Sequence, residues 1–122
     1  MTTAREKVHA ELLLGALEGA LPLAAVVSCV TQQNRTASMT EVQRETLATI
    51  RSLVGDGLFV LGDLSGETGR LVPWSEPLDE SIEKISDVYV AKYDDRPEWV
   101  WFVWMELTDA GKRLARALQR QD

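Results

Sequence analysis

The chain has 122 residues, enough for one domain with its own core and too few for two ordinary ones. Its 45% hydrophobic and 26% charged residues exclude a disordered or collagen-like chain, and its one cysteine excludes a disulfide scaffold. A net charge of -6 gives no global basic field for nucleic acid or anionic membrane, and a single histidine removes most histidine-based catalytic and metal sites.

Val8, Leu12, Leu13, Ala16, Leu17 and Ala20 recur at helical spacing and predict a first helix from about Ala4 to Ala20. Pro22 suits the first turn of a second helix, whose apolar face is Leu23, Val26, Val27 and Val30. Val26-Val27-Ser28-Cys29 has the form of a lipoprotein cleavage box. Glu18 within the apolar stretch and Pro22 across it argue against a signal, and the longest uncharged run, 19–30, is too short to span a bilayer. The expected compartment is the cytoplasm, with no membrane association. Ser38-x-x-Glu41 and Thr40-x-x-Gln43 both fit a capping box, so a third helix runs from here to about Val54. Its buried stripe is Val42, Leu47, Ile50, Leu53 and Val54, and Gly55-Asp56-Gly57 supplies the stop.

The period then changes. Leu58 to Leu61 reads as a short strand, and Gly62 to Gly69 as a polar turn region. Ser75-Glu76-Pro77 opens an inserted helix over 77–93, with Leu78, Ile82, Ile85, Tyr89 and Tyr93 as its apolar stripe. Trp99 to Leu107 reads as a strand apolar on both faces, which demands cover on both. The helix trio covers one side. The inserted helix is the expected cover for the other, with Trp101 or Trp104 against Leu78, Ile82 or Ile85. Thr108 caps a last helix from Asp109 to about Gln119, with Lys112, Arg113, Arg116 and Arg120 toward solvent.

This order predicts an α+β fold, a single winged-helix-like domain over 1–122. It has three helices, a two-stranded antiparallel wing and a C-terminal helix, with an extra helix inserted between the wing strands in 56–98. Leu47 to Asp63 resembles the end of a recognition helix leading into a first wing strand. Met105 to Leu118, with its Leu-Thr-x-x-Gly turn, resembles the second wing strand and last helix of MarR-type winged-helix regulators. More loosely, Val72-Pro73-Trp74 resembles a segment of small uncharacterised actinobacterial proteins. The MarR resemblance implies a dimeric DNA-binding transcriptional regulator, with Arg35, Arg44 and Arg51 as its DNA contacts.

Enzyme chemistry finds little support. His9 has no acid or nucleophile at a diagnostic spacing. Cys29 sits in a valine-rich context that raises a thiol pKa and leaves it inert. Asp94-Asp95 and Asp79-Glu80 are adjacent in sequence, and adjacency does not converge side chains on one reacting atom. No phosphate-binding or calcium loop is present, and no cofactor or metal is expected.

The location of charge separates the binding readings. Segment 35–55 has a net charge of +1. Segment 56–98 sets four basic residues, Arg70, Lys84, Lys92 and Arg96, against 11 acidic ones. A DNA-reading wing places cations against phosphates, and this one presents carboxylates. The expected function is therefore a non-catalytic, acidic protein-binding module, immunity-like in neutralising a basic toxin. A MarR-like DNA-binding regulator is the alternative, and a homodimer is compatible with either. On a helix, Glu76, Glu80, Glu83 and Asp87 form one stripe. With Asp63, Glu67 and Trp74 they make the expected surface for a basic protein partner.

Overall fold

Capping side chains set where three helices begin. Thr3 accepts from the Glu6 amide, Ser38 from the Glu41 amide and Thr108 from the Gly111 amide. The computed structural model describes residues 2–121. In chain order the elements are α1 (Ala4–Gly15), a 3-10 turn (Ala16–Glu18), β1 (Leu21–Pro22), α2 (Leu23–Gln33), α3 (Met39–Gly55), β2 (Phe59–Leu64) and β3 (Leu71–Pro73). Then follow α4 (Leu78–Tyr89), α5 (Arg96–Trp99), β4 (Trp104–Leu107) and α6 (Asp109–Arg120). The fold is α+β and compatible with a winged-helix-like class.

The expected two-stranded wing is part of a four-stranded antiparallel sheet in the order β1-β4-β2-β3. Leu21–Pro22 pairs with Met105 and Trp104, and Leu71–Pro73 pairs with Leu64, Asp63 and Gly62. Both added strands are too short to carry an alternating pattern, so periodicity does not reveal them. Leu23 N donates to Val103 O, which turns Pro22 away from β4. Trp74 N donates to Leu61 O and Ser65 N to Arg70 O, which turns Pro73 away from β2. Each outer edge thus ends on a proline facing outward, and a proline offers no N–H to an incoming strand.

The expected strand 99–107 is halved. Pro97 starts the one-turn helix α5, which takes Trp99, and residues 100–103 form a turn drawn onto α2 by Ala24 N to Val100 O. The first helix also stops at Gly15 rather than Ala20, and the inserted helix at Tyr89 rather than Tyr93.

Phe59, Leu61, Met105 and Leu107 line the inner face of the sheet and are buried among Val8, Leu12, Leu23, Val30, Ile50, Leu53 and Ala115. Helix α4 packs on α3 and α5 rather than across the outer face of β4. The expected contact of Trp101 or Trp104 with Leu78, Ile82 or Ile85 is replaced by another arrangement. Trp101 is 61% exposed and stacks on Trp104, with ring centroids 5.7 Å apart. The aromatic that meets α4 is Trp99, whose ring lies 4.9 Å from that of Tyr89. The turn at 100–103 breaks the alternation on which the expectation rested.

Candidate partner-binding surface

Helix α4 buries Ser81, Ile82, Ile85 and Tyr89 and leaves Asp79, Glu80, Glu83 and Asp87 exposed. The expected stripe of four carboxylates is shorter on the helix itself. Pro77 occupies the N-cap position, so Glu76 lies before the first turn. Glu76 instead meets Lys84, with Oε1 3.6 Å from Nζ. That Nζ stands 3.9 Å from the centroid of the Trp74 ring, and Phe102 packs edge-on against the same ring at 5.8 Å. Trp74 is half-buried beneath a cation of its own chain, so it is no exposed anchor.

Asp63 and Glu67 are exposed on the β2–β3 hairpin. The Ser65 hydroxyl accepts from the amides of Glu67 and Thr68 and shapes the turn. The seven expected residues therefore form three groups. Glu80, Glu83 and Asp87 share the outer face of α4. Trp74 and Glu76 cluster with Lys84 at its start. Asp63 and Glu67 sit on the hairpin.

The three arginines of the alternative are all exposed, and they are not equivalent. Arg51, on α3, is ion-paired with Asp79 of α4. Arg44 is on the same helix, and Arg35 is in the turn before it. Arg5 of α1 grips Glu45 of α3 with two hydrogen bonds of 2.7 and 2.9 Å, which holds the Glu45 carboxyl below its ordinary pKa. The Arg51–Asp79 pair is the feature that sequence reasoning missed. Its partners are 28 positions apart and no periodic pattern links them.

Of the two nucleophile or base candidates, Cys29 is buried in the core and His9 is half-buried. The Cys29 thiol donates to Glu11 at 3.1 Å. Burial first, and then Glu11, push its pKa up to about 12, so it stays a thiol. His9 Nε2 is buried with no hydrogen-bond partner among the described residues. Burial and then Arg5 lower its pKa, so folding disfavours the charged imidazole. As pH falls below about 6.5, the unfolded chain takes up this proton first. Stability is therefore expected to be intact above that pH and to decline below it. Urea midpoints at pH 7.5 and 5.5 measure this, and His9→Leu is expected to shrink the difference. An equal difference in the variant would assign the decline to other groups.

No protein-family model matches the chain, and no curated protein or solved structure matches it.

Proposed function

We propose that the chain is a non-catalytic protein-binding module that meets a basic protein through the carboxylates of segment 56–98, as an immunity protein meets a basic toxin. The observation that carries this reading is the Arg51–Asp79 pair. The insertion neutralises a cation of α3 and leaves Glu80, Glu83 and Asp87 in solvent with no ion pair among the described residues. Carboxylates that do not serve the fold remain available to speed encounter with an oppositely charged partner. Asp63 and Glu67 extend the same field. Trp74 and Glu76 enter it as a structural support rather than as an anchor. A cytoplasmic setting suits a module with one buried, unreactive thiol. No helix among the described residues is long and apolar enough to cross a membrane.

A winged-helix architecture is part of this reading. It is supported by α3 leading into β2, by β4 lying between β1 and β2, and by β4 leading into α6. The same features, with exposed Arg35 and Arg44, favour the second reading, a dimeric MarR-like regulator. Asp79 on Arg51 weakens that alternative, because a carboxylate beside the recognition helix repels phosphate.

Affinity capture from native lysate, with and without nuclease, tests the choice. The native chain is expected to retain a basic protein after nuclease treatment, and Glu80→Lys/Glu83→Lys to lose it. Capture that disappears with nuclease, or that the double variant retains in full, would overturn the proposal.

A further inference from the structure

We propose that Trp101, Trp104 and Glu106 form a receptor for one arginine side chain of the basic protein partner. The proposal rests on the protein-binding reading above and adds to it a second contact, outside segment 56–98, on the outer face of the sheet. Trp101 is the most exposed large apolar side chain described, at 61%. Its ring is held 18° from parallel with Trp104, so it forms a fixed platform rather than a loose side chain. Trp104 and Glu106 are two residues apart on β4 and therefore point to the same, outer face of the sheet, about 7 Å apart along the strand. Glu106 is exposed and has no ion pair among the described residues. Val60, Leu64 and Leu71 lie half-buried on the same face. Pro22 and Pro73 turn outward at the two edges and offer no N–H to an added strand.

The molecule itself shows what such a set of side chains holds. Lys84 lies 3.9 Å from the Trp74 ring centroid with Glu76 3.6 Å away, a cation gripped between an indole face and a carboxylate. The Arg96 guanidinium likewise lies over the Trp99 ring at 5.3 Å. Trp101, Trp104 and Glu106 offer indoles and a carboxylate as well, and among the described residues no cation lies over either ring or pairs with the carboxylate. Arginine fits better than lysine, because a planar guanidinium stacks on a flat indole and presents two N–H groups to one carboxylate. The net charge of -6 attracts such a group from a distance.

The test uses a capped hexa-arginine peptide, with hexa-citrulline as the neutral control, titrated into the whole protein. The NMR signals of the indole N–H groups report each tryptophan separately. Hexa-arginine is expected to shift Trp101 and Trp104, and hexa-citrulline to leave them in place. Trp101→Ala and Glu106→Gln are each expected to weaken binding about threefold to fivefold. Both residues are exposed, so both variants are expected to fold. If hexa-arginine shifts only signals around α4 and Trp74, and both variants bind as the native chain does, the receptor is wrong and the protein-binding reading stands. If no signal moves, both fail. Dimerisation of the native chain that Trp101→Ala abolishes would show that a second copy covers this face, and would overturn the proposal.

Discussion

Trp99→Ala is expected to lower the unfolding free energy by ~3–5 kcal/mol, the range for truncating a fully buried large aromatic. The ring is 1% exposed. It stacks on Tyr93 at 5.5 Å, leans on Tyr89 at 4.9 Å, and donates its indole N–H to Tyr93 O at 2.8 Å. Removing it opens a cavity at the junction of α4, α5 and the following turn and leaves the Tyr93 carbonyl short of a donor. Small domains have only about 5–15 kcal/mol of net stability, so the variant is expected to lose much of its margin. Trp101→Ala is expected to change stability by less than about 0.5 kcal/mol, because its ring faces water. Urea unfolding of the two variants side by side decides the matter. A larger loss for Trp101→Ala would contradict the placement of both rings.

Gly111→Ala is expected to destabilise the protein by about 1–3 kcal/mol through overpacking. Helix propensity alone predicts a gain of about 1 kcal/mol for the same change. Gly111 is in the first turn of α6, where an added Cβ would drive into the carbonyl oxygen of Leu58 and lie 2.9 Å from Leu107 Cδ2. The Leu58 carbonyl cannot move aside, because it accepts from the Thr108 amide at 3.0 Å. Gly66→Ala is the control, since nothing lies within 4 Å of its added Cβ, and it is expected to stay within about 0.5 kcal/mol. Thermal melts of both variants check the sign. A stabilised Gly111→Ala would mean that α6 does not approach β2 this closely.

The same geometry gives the Leu-Thr-x-x-Gly turn a structural meaning. The Thr108 hydroxyl donates to Gly57 O at 2.6 Å and accepts from the Gly111 amide at 3.0 Å. Leu107 is buried, and Gly111 allows the helix to touch the chain at Leu58. The motif ties the start of α6 to the α3–β2 junction. It reports how a helix docks on a strand pair and carries no information about a ligand.

The parts of the fold legible in the sequence were those with a long period or a strong cap. Ser38 and Thr108 mark the starts of α3 and α6, and Ile82, Ile85 and Tyr89 mark the buried side of α4. The parts that were not legible depend on contacts between distant positions. Leu21–Pro22 becomes a strand only because Trp104 and Met105 arrive beside it, and Leu71–Pro73 only because β2 runs on to Leu64. The apolar run from Trp99 to Leu107 looks like one strand because composition does not distinguish a buried helical turn from a buried strand. The acidic surface was legible as charge in 56–98. Its division was not, since Lys84 reaching Glu76 and Trp74 follows from how the chain enters α4, and Asp79 reaching Arg51 from how α4 is oriented on α3.

The acidic face of α4 is proposed to steer a basic protein onto this chain. The most direct measurement is the association rate of the captured partner with the native chain and with Glu80→Lys/Glu83→Lys, taken across a salt series. Electrostatic steering raises association by about 10- to 1000-fold and fades with ionic strength. The double reversal is therefore expected to slow association sharply at low salt, to converge on the native rate at high salt, and to change dissociation much less. Identical association rates for the two proteins across the whole series would contradict the claim and leave the stripe as a solvated face of the helix.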